Sequence, residues 1–134
     1  MDLYAGSGGL SIEAISRGMD QAVLVERDRR AQAVIEANIA MAKAQDQFRL
    51  IKRDAQQVLP TLTGQFDLVL LDPPYAKEEI VKTIGKLQEH DLLSPEVMIV
   101  CETDKSVDLP ETLGDLRLWK QKVYGISKVT VYVK

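Results

Sequence analysis

The sequence is poor in the residues and segments that mark secreted or membrane proteins. It holds one cysteine and one histidine, and no apolar run approaches the roughly 20 residues that a membrane-spanning helix needs. No signal-peptide pattern opens the chain, so the predicted location is the cytoplasm. Cys101 has no partner for an internal disulfide and stands in an apolar stretch that begins at Val97, which predicts a buried small hydrophobe. His90 has no accompanying carboxylate motif and is interpreted as a helix-end residue.

The sequence also lacks an excess of positive charge. Its formal net charge is −3, whereas strong unaided binding to nucleic acid usually needs a basic surface. Positive charge for such a partner must therefore be local or come from elsewhere. Apolar residues make up 46% and charged residues 28% of the 134 residues, as in an ordinary soluble protein, and no repeat or linker divides them. This predicts a single domain over residues 1–134.

Strand and helix patterns alternate along the chain. Short apolar runs predict buried strands at Gln21–Val25, Phe48–Ile51, Phe66–Leu71 and Val97–Cys101. Met1–Tyr4 is interpreted as the last residues of a further strand. Apolar residues at helical spacing predict helices over Ser11–Gly18, Asp28–Lys43 and Lys77–Glu89. A turn is predicted at Leu92–Pro95. This order implies an α/β fold with a parallel sheet and helices on both of its faces.

The last part of the chain departs from that alternation. Two strand-like runs, Leu116–Val123 and Ile126–Val133, are separated only by Tyr124-Gly125. So short a connection predicts an antiparallel hairpin.

A glycine turn precedes the first predicted helix. Gly6-Ser7-Gly8 follows a strand end, and a turn without side chains lets the backbone approach a ligand. Ser11 stands where the dinucleotide fingerprint has its third glycine, so the NAD motif is incomplete. Glu26 ends the second predicted strand, where a carboxylate can accept hydrogen bonds from ribose hydroxyls, and Asp54 follows the third strand, where it can bind the amine of adenine.

Asp72-Pro73-Pro74-Tyr75 follows the buried run Phe66–Leu71. The prolines end the strand abruptly, at the edge where open α/β sheets hold their ligands. Alone, these four residues can be a Pro-Pro turn with a capping Asp and a packing Tyr, and a single strand-end carboxylate is often only solvated. Three acidic strand ends beside a glycine turn indicate a site instead.

These motifs resemble a known superfamily. Asp2-Leu3-Tyr4-Ala5-Gly6-Ser7-Gly8, Glu26, Asp54 and Asp72-Pro73-Pro74-Tyr75 look like the ordered motifs of class I S-adenosylmethionine-dependent methyltransferases. With Ile12-Glu13-Ala14-Ile15-Ser16-Arg17-Gly18, the chain is similar to the RsmD family of 16S ribosomal RNA (guanine-N2) methyltransferases. The resemblance implies a Rossmann-like, mostly parallel seven-stranded sheet that ends in the antiparallel hairpin. It also implies a missing N-terminal part, a basic segment and a helix, which puts independent activity of these residues in doubt.

The resemblance further implies a reaction and its site. A methyl group passes from S-adenosylmethionine to the exocyclic N2 amine of a guanine in small-subunit ribosomal RNA, with no metal. Asp72 and the Pro73 carbonyl hold the amine, Pro73 and Pro74 fix that carbonyl, and Tyr75 stacks on the base. The residues implied for the cofactor are Asp2, Ala5, Gly6, Ser7, Gly8, Glu26, Arg27, Asp54, Ala55 and Asp72. The protein is expected to be a monomer, and the RNA-contact candidates are Lys77, Lys120, Lys122 and Lys128, although lysines usually only solvate a surface.

Other functions remain open. Asp-Pro-Pro-Tyr suits any planar exocyclic amine, so an adenine-N6 methyltransferase acting on DNA or RNA is the nearest alternative, although no separate target-recognition domain is visible. Protein-glutamine methylation typically uses Asn where Asp72 stands. A non-catalytic nucleotide-binding module has no need of the Asp72–Tyr75 arrangement, and a dinucleotide oxidoreductase is disfavoured by the missing third glycine.

Overall fold

The computed structural model describes residues 1–6, 8, 15–16, 18–42, 45–73 and 76–134. Contacts within the chain divide it into two compact units, Met1–Val58 and Leu59–Lys134. The single domain over residues 1–134 stays a prediction. None of the helices in the described ranges is long and apolar enough to span a membrane.

The first unit is built around a small parallel sheet. Its elements are β1 (Ala22–Val25), α1 (Arg29–Ala42), a 3-10 turn (Gln45–Gln47), β2 (Phe48–Ile51) and α2 (Ala55–Val58). Strands β1 and β2 pair in parallel, from Ala22 opposite Phe48 to Val25 opposite Ile51. Asp2 forms a parallel bridge with Leu24, so the strand end expected at the start of the chain lies beside β1.

Helix α1 begins where its sequence predicts. The Asp28 carboxylate accepts a hydrogen bond from the Ala31 N–H at 3.0 Å, which satisfies one of the donors that a helix start leaves free. Ile35 and Ile39, one helical turn apart, are buried against the sheet residues Ala22 and Leu24. Of the predicted helix over Ser11–Gly18, Ile15 and Ser16 are helical, and most of the remainder lies outside the described residues.

The second unit contains a mixed sheet. Its elements are a 3-10 turn (Leu59–Thr61), β3 (Phe66–Leu71), α3 (Ala76–Glu89), β4 (Leu93–Asp104), β5 (Thr112–Leu113), β6 (Leu116–Tyr124) and β7 (Ser127–Val133). The strand order is β3-β4-β7-β6-β5. Strands β3 and β4 are parallel, whereas β4–β7, β5–β6 and β6–β7 are antiparallel. The predicted C-terminal hairpin is therefore confirmed.

The predicted mostly parallel, seven-stranded sheet is not what the described residues form. They form a two-stranded and a five-stranded sheet, and three of the four strand pairings in the larger sheet are antiparallel. The physical reason lies in the connections. A turn as short as Gly125-Ile126 can only reverse the chain, because a parallel partner needs a crossover of a dozen or more residues.

Helix α3 covers the larger sheet. Ile80, Ile84 and Leu87 repeat at helical spacing, are fully buried, and lie on the helix that packs against β4. Asp91 ends the helix with a φ of 53°, and the Leu92 N–H donates to the Leu87 carbonyl at 3.0 Å. This is the hydrogen-bond pattern that closes a helix with a left-handed residue.

Strand β4 differs from its prediction. The expected turn at Leu92–Pro95 is wrong, because β4 already begins at Leu93. Leu93 pairs with Phe66 and Met98 with Leu68, so β4 carries extra residues between two neighbouring pairs. Pro95 lies in this irregular stretch, where the missing backbone N–H costs no ladder hydrogen bond. At its other end, pairing with β7 extends β4 to Asp104.

Candidate functional site

The glycine turn leaves a compact and partly open stretch of backbone. Gly6 and Gly8 have φ angles of 59° and 78°, which residues with a side chain rarely adopt. The Gly8 N–H donates to the Ala5 carbonyl at 2.8 Å and closes the turn. A Cβ at Gly8 would lie 3.4 Å from the Leu24 side chain, whereas a Cβ at Gly6 would meet nothing within 4 Å. Gly8 therefore fits against the core, and open space lies beside Gly6.

The Glu26 carboxylate is held at the end of β1 by backbone donors. Its Oε1 accepts from the Gly6 N–H at 3.0 Å. Its Oε2 accepts from the N–H groups of Arg27, at 2.9 Å, and Asp28, at 3.1 Å. A carboxylate accepts about four hydrogen bonds, so three contacts with described residues leave acceptor capacity. The carboxylate is thus fixed in position and still able to bind a hydroxyl.

Asp54 and Arg27 lie at the same edge of the small sheet. Arg27 Nη1 is 3.9 Å from Asp54 Oδ1, and the Arg27 side chain is 70% exposed. The Asp54 carbonyl accepts the Gln57 N–H and begins α2, whose first residue, Ala55, is buried. The parallel pairing of β1 with β2 places both carboxyl ends together, which is why this ion pair forms.

Asp2 is placed by its backbone. Its N–H donates to the Val23 carbonyl and its carbonyl accepts the Val25 N–H, both at 2.8 Å. The residue is buried. The first unit therefore brings together the predicted cofactor residues Asp2, Ala5, Gly6, Gly8, Glu26, Arg27, Asp54 and Ala55, and Ser7 lies outside the described residues.

Asp72 stands at the carboxyl end of β3 in the second unit. It follows Leu71 directly and is exposed, whereas Pro73 is buried and anchors the chain as it leaves the sheet. Pro74 and Tyr75 lie outside the described residues. Desolvation, and then the neighbouring Glu102, raise the pKa of Asp72 above its ordinary value. No Lys or Arg of the described ranges forms an ion pair with Asp72.

Glu102 is a neighbour of the candidate site residue Asp72 that the sequence did not single out. Leu71 pairs with Cys101, so the next residue of β4, Glu102, lies beside Asp72. The two carboxylates are far apart in the chain and become neighbours only through strand register. No local motif around Glu102 carries that signal.

Cys101 and His90 lie where the sequence predicts. Cys101 is fully buried, and desolvation raises the pKa of its thiol to about 12, so it stays protonated and is no nucleophile. The His90 N–H donates to the Lys86 carbonyl at 3.0 Å, just past the end of α3. In the described part of the chain, no group of three or more His, Cys, Asp or Glu side chains is placed to hold a metal ion.

Known proteins are similar to this chain in sequence and in fold. A family model described as "Conserved hypothetical protein 95" matches residues 1–133. The chain is 31% identical over 132 residues to ribosomal RNA small subunit methyltransferase D of Escherichia coli, which covers 98% of this chain and 66% of that protein. It is 34% identical over 77 residues to a tRNA1(Val) (adenine(37)-N6)-methyltransferase of a Shewanella species, which covers 56% of this chain and 33% of that protein.

Among solved structures, a conserved hypothetical protein of Streptococcus pyogenes is 62% identical and superposes with a TM-score of 0.96. That match covers 99% of this chain and 83% of the other. The chain spans about two thirds of the length of its Escherichia coli relative. With a family model that matches almost the whole sequence, the chain belongs to the RsmD family of methyltransferases.

Proposed function

We propose that this protein transfers a methyl group from S-adenosylmethionine to the exocyclic N2 amine of a guanine in 16S ribosomal RNA. The observation that carries the proposal is the Asp72-Pro73 step at the carboxyl end of β3, in a chain of the RsmD family. The Escherichia coli relative is named as a methyltransferase of small-subunit ribosomal RNA, which supports the same substrate here.

The first unit supplies the cofactor residues. S-adenosylmethionine would supply a methyl group on a positively charged sulfur; as the new N–C bond forms, the S–C bond would break and the product would be neutral S-adenosylhomocysteine. The open space beside Gly6 admits the methionine part to the backbone of Ala5–Gly8, with Asp2 near its ammonium group. The remaining acceptor capacity of Glu26 suits the ribose hydroxyls. Asp54 and Ala55, with Arg27 beside them, fit the adenine.

Asp72 acts on the substrate amine. The lone pair of a guanine N2 is delocalised into the ring, so the amine is a poor nucleophile. Hydrogen bonds from its N–H groups to the Asp72 carboxylate and the Pro73 carbonyl fix its direction and favour a more nucleophilic geometry. The amine loses a proton as it gains a methyl group, and a carboxylate with a raised pKa accepts a proton more readily. Tyr75 stacks on the base after it has left its helix or loop.

Residues 1–134 are proposed to act as one methyltransferase domain. The cofactor residues belong to the first unit and Asp72 to the second, and one reaction needs both. Independent action of either unit is not expected.

Adenine-N6 methylation is the second candidate. It is supported by the Shewanella relative, which is named for that reaction. Both reactions use a planar exocyclic amine, so Asp72 and Pro73 suit either one.

The test uses labelled S-adenosylmethionine with naked 16S RNA and with assembled small subunits, followed by mapping of the modified nucleotide. A labelled N2-methylguanine in 16S RNA is the expected result. Methylation of adenine would replace the proposal by its alternative. No transfer to either base, with cofactor binding intact, would contradict both.

A further inference from the structure

Positive charge is concentrated at the end of the chain. The segment Leu116–Lys134 contains five Lys or Arg residues and no Asp or Glu, whereas the remaining sequence has 12 basic and 20 acidic residues. This segment is made almost entirely of the hairpin β6–β7. The acidic chain therefore carries a basic element at one side of its larger sheet.

Two of the five charges are already engaged. Lys128 is buried and lies 3.8 Å from the Asp108 carboxylate. Lys134 lies 3.8 Å from the Asp115 carboxylate and donates to the Leu93 carbonyl. The other three, Arg117, Lys120 and Lys122, are exposed and form no ion pair with the described residues.

Two exposed aromatic rings lie next to two of these charges on β6. Trp119 is 44% and Tyr124 56% exposed. Lys120 Nζ lies 4.3 Å from the centre of the Trp119 ring, and Lys122 Nζ lies 5.0 Å from that of Tyr124. Each ring thus carries an ammonium group over one face, while the side chain as a whole stays exposed. Proteins bind single-stranded nucleic acid with this combination, in which rings stack on bases and cations contact phosphates.

Among the described residues, strand β6 has no pairing partner along most of its edge away from β7. Strand β5 pairs with it only at Leu116 and Arg117. The pairing with β7 is irregular between Leu118 and Lys120, which places Trp119 in a bulge. Lysines and bulges on an edge strand disfavour the addition of another protein strand. The charge and the bulge therefore favour a polyanion over strand pairing with a protein.

Strand register puts this surface in line with Asp72. Asp72 lies beside Glu102, Glu102 pairs with Val129, and Val129 pairs with Lys122. Residues directly opposite each other share a face of the sheet, so Lys122 lies on the same face as Asp72. Three strand spacings separate them, roughly 14 Å. Tyr124 follows two residues later on that face, toward the edge at which Asp72 leaves β3.

We propose that Trp119, Lys120, Lys122 and Tyr124 form a binding surface for the single-stranded RNA next to the methylated base. Trp119 and Tyr124 stack on unpaired bases, and Lys120 and Lys122 contact their phosphates. The proposal rests on the proposed function, because it takes the base held by Asp72 to belong to the same RNA strand.

The single tryptophan of the sequence makes the surface directly observable. A short single-stranded RNA is added to the protein without cofactor, and tryptophan emission is followed, with Trp119→Phe as the background. We expect saturable quenching by the single strand and much weaker quenching by the same RNA in a duplex. Unchanged emission at RNA concentrations that saturate binding would overturn the proposal.

Binding constants test each part of the surface. We expect Trp119→Ala to weaken RNA binding roughly five- to 100-fold, the range measured for stacking on one ring, and Trp119→Phe to weaken it less. The double variant Lys120→Gln with Lys122→Gln should bind RNA with a weaker salt dependence. The negative slope of log affinity against log salt should become shallower by roughly 0.7 for each phosphate that the variant no longer neutralises. The matched control is Lys82→Gln with Lys86→Gln on α3, which should leave affinity and slope unchanged.

Two outcomes separate this proposal from the proposed function. If the wild-type protein methylates RNA while Trp119→Ala binds RNA normally, the surface proposal fails alone. If RNA quenches Trp119 while no RNA is methylated, the surface binds RNA and the proposed function fails. Capture of a small-subunit protein through Trp119 without RNA, with RNA affinity unchanged in Trp119→Ala, would assign the surface to a protein partner and overturn the proposal.

Discussion

The two units hold their carboxylates in opposite ways. At the end of β1, three backbone N–H groups surround the Glu26 carboxylate. At the end of β3, Asp72 has a second carboxylate, Glu102, as its neighbour, and its pKa is raised. A carboxylate held by donors is suited to bind a ligand in a fixed orientation. The ionised form of Asp72 is disfavoured by desolvation and then by the neighbouring carboxylate. Such an arrangement costs stability and is typical of groups that react.

The largest expected effect follows from changing Asp72. Asp72→Asn keeps one acceptor oxygen but replaces the carboxylate by a neutral amide that cannot take up the amine proton, so it should lower kcat roughly 10²- to 10³-fold, as the loss of a general base does. Cofactor affinity, measured by isothermal titration, should stay within about twofold if Asp72 acts on the substrate. Asp67→Asn, an exposed position in the same strand, is the control and should keep full activity. Equal loss of cofactor binding and activity would make Asp72 a cofactor ligand.

The same variant has a consequence for stability. A raised pKa means that folding favours the protonated Asp72, so its contribution to stability is present at low pH and is lost as the pH rises through the folded-state pKa. Asp72→Asn should therefore unfold at the same or a slightly higher temperature than the wild type at neutral pH. A clear fall in Tm would show that the carboxylate supports the fold.

A smaller effect is expected at Glu26. Glu26→Gln replaces an acceptor of three hydrogen bonds by an amide and should weaken S-adenosylmethionine binding roughly 10- to 100-fold, as expected for losing a hydrogen bond to a charged group. Isothermal titration measures this change. Glu36→Gln, whose carboxylate pairs with Lys52 on the surface of the same unit, is the matched control. Similar cofactor affinity in both variants would argue against Glu26 as a ribose ligand.

Glu102, the second cause of the raised pKa of Asp72 after desolvation, should contribute to the acidic side of the pH profile of activity. Asp72 must be ionised to accept the amine protons, so activity should fall as the pH drops through its raised pKa. Glu102→Gln removes one cause of the rise, so the acidic limb of kcat/KM should move to lower pH, and the variant should be more active than the wild type at acidic pH. Glu96→Gln, an exposed position on the same strand, should leave the profile unchanged. An acidic limb that does not move would rule out this coupling.

The smallest effect is expected at Arg27. Its ion pair with Asp54 is exposed and 3.9 Å long, so Arg27→Gln should change the free energy of unfolding by less than about 1 kcal/mol. Chemical denaturation measures this value. Cofactor affinity should change less than in Glu26→Gln. If Arg27→Gln lost more cofactor affinity than Glu26→Gln, Arg27 and not Glu26 would be the main cofactor contact of the first unit.

Some elements could be predicted because their signals are local. Helix α3 repeats Ile80, Ile84 and Leu87 at helical spacing, and its predicted start differs from the observed one by a single residue. Strand β3 is an apolar run, interrupted only by Asp67 and closed by prolines, and both of its ends are as predicted. The hairpin is likewise confirmed, because its turn leaves room only for reversal of the chain.

Strand β4 shows where such signals stop. The pattern Leu92–Pro95 resembles a turn, and only the partners on either side make it part of a strand. Pairing with β3 absorbs Pro95 in an irregular stretch, and pairing with β7 extends the strand to Asp104. Neither partner is close in the chain, so neither leaves a mark on the local sequence.

The sequence by itself determined the types of chemistry available to this protein: the glycine turn, the acidic strand ends and the Asp72-Pro73 step, all of which are encoded in short contiguous stretches. Tertiary structure alone decided which groups became neighbours. Strand register put Glu102 beside Asp72, and Lys122 in the same row of the sheet. It also left the rings of Trp119 and Tyr124 exposed, each in contact with a lysine that forms no ion pair with the described residues. The physical reason is that register depends on pairing between strands distant in the chain, and a shift of one residue would turn each side chain to the other face.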